Sequence, residues 1–354
     1  RRGVLVTDGE EHLHLRGIME PSAKRKHFAP KADAVRLDTD RVQDRWRSGD
    51  QYDMLVEMRK LALLAFESVY FSHDLEPELD RIWDPVLKAL GYISPGLWIM
   101  RSDGAGPPPK EVLLLDMHLY DLIHERRADD NPPDDLLTHL VQALDDDDLV
   151  RDQMMTMLIA GHDTSTALLT WTLYLLGSHP TWMARVQSEI WETLGSQPPT
   201  PENTRSLSAL DQVIKESLRL YPPAHVGNRM TARDVELMGY TIPAGTRIMY
   251  SIYLVQRHPD FWEAPDEFQP ERFASGYQTR VAPFTYLPFG GGPRNCIGGP
   301  FAQLESRIAL ARLLQMNELT LLQTKVKPNM GVTLEPRPNV NMRVEKYPRL
   351  GTAS

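Results

Sequence analysis

The stretch FGGGPRNCIG, residues 289–298, decides how this sequence is read, because it holds the only cysteine in a chain of 354 residues. A structural cysteine behaves as a small hydrophobe and usually sits among aliphatic neighbours. Cys296 lies instead in a run of glycines, followed by Pro293 and Arg294 on its approach. Glycine admits positive φ and lets the backbone come close to another body, so the run reads as a shaped loop that holds something. A single cysteine excludes an internal disulfide and any multi-cysteine zinc or iron–sulfur site. A free thiol, a nucleophile or a single-thiolate metal ligand remains.

Outward from the loop, residues 299–315 (GPFAQLESRIALARLLQ) predict a helix whose N-terminus lies just past Cys296. The chain is 42% hydrophobic, which is ample for a core. A net charge of -9 argues against a nucleic-acid partner, since phosphate binding needs concentrated Lys and Arg. The first half is helix after helix. Residues 10–21, 32–46, 52–71, 77–90 and 111–127 space their apolar residues by three and four, each run closing on Pro, Gly or a polar stretch. Residues 91–110 read as a loop-like break, and the acidic run Asp145 to Asp148 as a solvated cap favoured by the helix dipole.

Residues 154–177 (MMTMLIAGHDTSTALLTWTLYLLG) are apolar enough to suggest a membrane span, which needs about 20 apolar residues. His162, Asp163, Thr164, Ser165 and Thr166 interrupt the run at its middle, so it reads as a buried helix and the chain as having no membrane span. Helices follow at 182–194 and 208–223, then alternating short strands over 229–253, a Pro-rich meander into the cysteine loop, and a hairpin over 332–348. The first residues resemble neither a signal peptide nor a complete domain entry, and the chain reads as starting mid-fold.

Glu216 and Arg219 share a face at i and i+3, and Arg272 in the run PERF can make a triad of them. With these residues placed, the pattern F-x-x-G-x-R-x-C-x-G is met by Phe289, Gly292, Arg294, Cys296 and Gly298. Glu216 and Arg219 form an E-x-x-R upstream, Arg272 lies between, and Ala160, Gly161, Asp163 and Thr164 form an A-G-x-D-T. In this order the motifs resemble the cytochrome P450 family of haem-thiolate monooxygenases, from one end of the chain to the other.

The resemblance implies a single, mainly α domain with small sheets over 1–354, binding haem b between the long helix and the cysteine loop. Cys296 would be the axial ligand of the iron, with its sulfur screened by backbone N–H groups and by the helix N-terminus that follows. The acid and alcohol Asp163 and Thr164 would deliver protons during dioxygen activation. The plainer reading of Thr164 is a hydroxyl bonded back to the carbonyl four residues earlier. His12, Arg16, Arg229 and Arg294 match positions that contact the haem propionates, and Phe289 and Gly298 belong to the same cofactor loop. Glu216, Arg219 and Arg272 would be a structural triad. Leu158, Ala160, Gly161, Ala224, Val226 and Val332 match substrate-facing positions, with ordinary core the plainer and less favoured reading of Leu158 and Val226.

The implied reaction inserts one oxygen atom from O2 into a small apolar organic substrate, with two electrons from a ferredoxin or flavoprotein reductase on another chain. The expected location is the cytoplasm. Family members carry further strands and helices ahead of the helix holding His12, and the chain lacks a counterpart, so part of the pocket and any anchor would belong there. A peroxygenase or isomerase on the same fold is the enzymatic alternative, and a non-catalytic haem sensor or docking protein the other. The acid and alcohol pair speaks against both.

Overall fold

The computed structural model describes residues 2–93, 109–275, 282–323 and 325–348. The helical periods of the first half become α1 (Gly9–Met19), α2 (Arg25–Phe28), α3 (Ala32–Asp44), α4 (Met54–Phe66), α5 (Leu79–Ile93), α6 (Lys110–Ala128) and α7 (Leu136–Ala143). The break expected over 91–110 lies largely outside the described residues, and α5 runs through Ile93. Asp53 and Asp135 start α4 and α7 by accepting the N–H groups of Leu55 and Thr138, which satisfies donors with no partner inside a helix. Beyond Phe66, α4 widens into one π turn, Glu67–Phe71, and stops at Ser72, whose φ of 48° is left-handed.

The centre of the fold is α8 (Asp147–Ser178), 32 residues and therefore about 48 Å at ~1.5 Å per residue. The acidic run does cap it. Asp146 accepts the N–H of Leu149, and Asp147 and Asp148 sit in the first turn. Its side chains are buried on nearly every face, because α4, α6, α7, α10 and α12 all pack against it. An all-round buried helix has to hide its polar groups. Thr164, Thr166, Thr170 and Thr172 do so by donating their hydroxyls to carbonyls four residues back. Among the described residues no helix is long and apolar enough to cross a membrane.

α9 (Pro180–Leu194) and α10 (Ser208–Leu220) follow, α10 ending ahead of Pro222 and Pro223. The alternating segment becomes β2 (Val226–Met230), β3 (Val235–Leu237), β4 (Tyr240–Ile242) and β5 (Arg247–Ser251). They form two separate antiparallel pairs, β2 with β5 and β3 with β4. After α11 (Ile252–Val255) and the meander come α12 (Gly299–Met316), β6 (Asn317–Leu321), β7 (Lys327–Met330), β8 (Leu334–Arg337) and β9 (Asn341–Lys346). The expected hairpin over 332–348 is not formed. β8 turns back onto β7, while β9 joins β6 and β1 (Gln51–Asp53) in a three-stranded sheet. Alternation explains the split: Met342 and Val344 of β9 are buried and need a sheet that lies on the core, which β1 and β6 provide.

That sheet docks on the end of α8 through Gly177. A Cβ there would meet Met342 Cε at 2.7 Å and Leu321 Cβ at 2.8 Å. Gly177→Ala is therefore expected to destabilise by about 1–3 kcal/mol through overpacking, despite the helix propensity it adds. Gly17→Ala in α1, where a Cβ meets nothing within 4 Å, is expected to leave the thermal midpoint unchanged or raise it. Equal midpoints for parent and Gly177→Ala would show that the sheet does not seat on α8 in this way.

Candidate functional site

The cysteine loop is closed by its own backbone. Gly290 and Gly292 take φ of 69° and 72°, values that side chains resist, and the chain turns back so that the Cys296 N–H donates to Phe289 O at 2.8 Å. The Asn295 N–H donates to Gly292 O at 3.0 Å, and a short 3-10 turn covers Gly292–Arg294. Phe289 packs on the first turn of α12, where a Cβ on Gly299 would stand 3.3 Å from its ring. Cys296 as a residue is exposed. Burial pushes the thiol pKa up, while the backbone N–H groups of Gly298 and Gly299 and the charge of Arg16 pull it down.

Three cation-capable side chains gather beside this loop. His12 and Arg16 lie one turn apart on α1. Arg16 donates from Nη1 to Asn295 O and from Nη2 to Asn295 Oδ1, both at 2.9 Å, immediately before the cysteine. Arg294 donates to Thr7 O at 2.5 Å and to the Asp8 carboxylate ahead of α1. His12 is buried, and burial first, then Arg294 and Arg16, depress its pKa and favour the neutral ring. Arg229 has other partners. It is exposed on β2, donates to Asn228 O at 2.7 Å and lies over the Tyr250 ring of β5.

Asp163 and Thr164 stand at the middle of α8. Thr164 Oγ1 donates to Ala160 O at 2.7 Å, which uses the hydroxyl proton and leaves the oxygen free to accept. Asp163 is buried, accepts the Thr333 hydroxyl at 2.5 Å and stands 3.5 Å from Arg59 of α4. Arg59 also pairs with Glu335 of β8, whose pKa burial raises. His162, the residue before Asp163, is fully buried, and burial drops its pKa to about 3. It is neutral at any ordinary pH.

Glu216 and Arg219 are fully buried and joined by two bonds, 2.7 and 2.8 Å, with Arg272 Nε 3.5 Å from Glu216. Of the expected substrate-facing positions, Ala160 is half-buried on α8, Ala224 and Val226 are exposed after α10, and Val332 is exposed between β7 and β8. The Leu334 N–H donates to Pro223 O at 3.0 Å, which brings those last two segments together beside the Thr333 to Asp163 bond. Leu158 is the position that differs, and half-buried Gly161 has a packing role as well. Leu158 is fully buried in the main core and presents no surface to a ligand. Gly161 serves helix packing, since a Cβ there would stand 2.6 Å from the Phe66 ring of α4.

Sequence reading missed Glu305. It lies on α12, wholly buried, and accepts the Ser165 hydroxyl at 2.5 Å, one residue from Thr164. Burial pushes its pKa up to about 8, so it keeps its proton at neutral pH. The signal was present: Glu305 falls four residues after Phe301 and three before Ile308, on the apolar face of its helix. Arg59 and Thr333 carried no comparable signal, because only the folded chain brings α4 and the β7–β8 turn to Asp163.

Comparison with known proteins agrees with this geometry. The family profile described as Cytochrome P450 matches residues 114–342. Pentalenene oxygenase of Streptomyces avermitilis is 32% identical over 335 residues, covering 90% of this chain and 74% of that protein. Cyclooctat-9-en-7-ol 5-monooxygenase of Streptomyces melanosporofaciens is 31% identical over 93% of this chain and 73% of its own length. The crystal structure of the cytochrome P450DA haem domain superposes with a TM-score of 0.86 at 25% identity, covering 98% of this chain and 80% of that one. A profile match over most of the chain, relatives above 30% identity and a shared architecture place this chain in the cytochrome P450 family of haem-dependent, oxygen-incorporating oxidoreductases.

Proposed function

We propose that this monooxygenase inserts one oxygen atom from O2 into a small apolar organic substrate, with electrons from a ferredoxin or flavoprotein reductase. The observation that carries it is Cys296, an exposed residue turned back onto Phe289 O by its glycine loop, with the backbone N–H groups of Gly298 and Gly299 lowering the pKa of its thiol. The residues present fit haem b. A single thiolate donor suits iron, and His12, Arg16 and Arg294 form a basic margin suited to carboxylates, with Phe289 and Gly298 completing the loop. Arg229 joins that margin only by turning its guanidinium away from Asn228 and Tyr250.

When bound, haem supplies the iron that activates O2, and everything else falls to the chain. Thr164 Oγ1, whose hydroxyl donates a hydrogen bond to Ala160 O, accepts a hydrogen bond at the level where Asp163 interrupts α8. Asp163 swings between Thr333 and the Arg59–Glu335 pair, so it hands a proton along without being stranded as a buried charge. Glu305 holds a further proton behind Ser165. Ala160, Ala224, Val226 and Val332 offer small apolar surface and no ionic anchor, which supports a hydrophobic substrate. The substrate names of the two relatives, an alkene and an unsaturated alcohol, support the same class.

Three measurements test this. Cys296→Ala is expected to abolish the red-shifted Soret band that thiolate ligation gives the reduced, carbon monoxide-bound protein. Survival of that band in the variant overturns the ligand. Thr164→Ala is expected to retain haem and substrate binding while product per NADPH falls at least about tenfold and hydrogen peroxide rises, since a proton-transfer group typically contributes more than that. Unchanged coupling removes the relay. Glu305, with its folded pKa raised to about 8, gives stability that is complete below its ordinary value and is lost as pH rises through about 8. Glu305→Gln is thus expected to flatten the fall of the thermal midpoint between those limits, and an identical slope in parent and variant contradicts the buried, protonated carboxyl.

A further inference from the structure

Away from the cysteine loop, Glu67, His73 and His118 bring three ligand atoms within 4.8 Å of one another, the one such group of histidines and carboxylates found among the described residues. Glu67 is fully buried in the π turn that ends α4, and His118 is buried on α6. Local backbone builds the site. The π turn and the left-handed Ser72, a non-glycine residue at φ 48°, fold the chain back so that the His73 N–H reaches Glu67 O at 3.2 Å. The His73 ring then meets the carboxylate, Nδ1 to Oε2 at 2.8 Å. Such departures from helical and allowed backbone concentrate at functional sites.

We propose that Glu67, His73 and His118 form a zinc site. Zinc takes His nitrogen and carboxylate oxygen at about 2.0–2.1 Å in tetrahedral array, which sets ligand atoms roughly 3.3 Å apart. His73 Nδ1 and His118 Nε2 already stand 2.8 and 3.1 Å from the Glu67 oxygens. Their outer nitrogens are also provided for. His73 Nε2 lies 3.7 Å and His118 Nδ1 3.9 Å from the Glu78 carboxylate, so a small shift of that side chain would bring it into hydrogen-bond reach of a metal-bound imidazole, where it would fix the tautomer. On binding, the protons now shared between each ring and Glu67 leave to solvent, and the ring N–H groups that face Glu78 stay. The fourth position opens to a pocket of about 270 Å³ lined by Arg81, Asp121 and His124 among others, which admits water or an external ligand. The ion would pin the end of α4 to α6 across 51 residues of sequence.

The test uses tag-free holoprotein, stripped with chelator and dialysed against buffered micromolar free zinc. One zinc per haem is expected by elemental analysis, with a zinc X-ray absorption spectrum of imidazole and oxygen scatterers, and a rise in thermal midpoint with zinc. His118→Gln, and independently His73→Ala in the less buried loop, are expected to lose that equivalent with haem content unchanged, and Glu78→Gln to weaken it about 10- to 100-fold. A parent that retains no zinc would reduce the cluster to hydrogen-bonded histidines around a buried carboxylate. Zinc retained equally by both histidine variants would place the ion elsewhere. Either result overturns the site without touching the monooxygenase reading.

Discussion

A guanidinium taken wholly out of water must find a partner for each of its N–H donors, and Arg219 imposes that condition on the second half of this molecule. It is fully buried. Two donors go to Glu216, and the others reach the carbonyls of Gln256, Pro265 and Glu267 at 2.7–3.0 Å. Glu216 in turn accepts the N–H of Gln269 at 2.9 Å. Gln256 donates back to Leu218 and Arg219 and accepts the N–H of Leu287, two residues before the loop that holds Cys296. The segment from Gln256 to Gln269 is thereby tied to α10 by six hydrogen bonds. Breaking one partner of such a buried pair typically costs about 3–5 kcal/mol because a charge is left behind, so the path into the loop is fixed before the loop is reached.

The helices were legible because burial of one face writes a period into the sequence. α3, α4, α6 and α10 lie where spacing put them, and the mid-helix interruption at residues 162–166 was correctly a buried helix and no span. The cysteine loop was legible through glycine, since Gly290 and Gly292 do occupy positive φ. Pairing between distant strands was not. β8 and β9 are adjacent in sequence and belong to different sheets, and only the buried alternation of Met342 and Val344 decides it. Leu158 matches a substrate-facing position yet packs into the core, because a matched position does not say which way a helical residue faces.

The same limit explains the polar network around α8. Asp163 is readable as an acid in an apolar helix, but its partners Arg59 and Thr333 come from α4 and from the turn after β7, and Arg59 is shared with Glu335 of β8. Two carboxylates and one arginine share that cluster, and an arginine between two acids can satisfy only part of each. The cost is divided. Glu335 takes the raised pKa, Asp163 leaves Oδ1 without a hydrogen bond, and the Thr333 hydroxyl supplies the bond on Oδ2. A buried carboxylate left half-satisfied is expensive as a purely structural device, since replacing it with a well-packed apolar residue costs less. The expense is intelligible if the group has to change partners.

Cys296 closes the question that its isolation in the sequence raised. A nucleophilic cysteine needs its thiolate at neutral pH, and such thiols sit beside cations that hold their pKa low. Here burial is the leading influence and raises the pKa, with two backbone N–H groups and the more distant Arg16 offsetting only part. The nearest basic groups do not serve the sulfur: Arg16 is held by Asn295, Arg294 by Thr7 and Asp8, and His12 is pressed toward its neutral form. The loop therefore shapes and screens a sulfur without ionising it. A thiol prepared in that way is poorly made as a free nucleophile and well made as a ligand, because a metal cation deprotonates the thiol it binds and the two N–H groups then moderate the charge that the sulfur passes on.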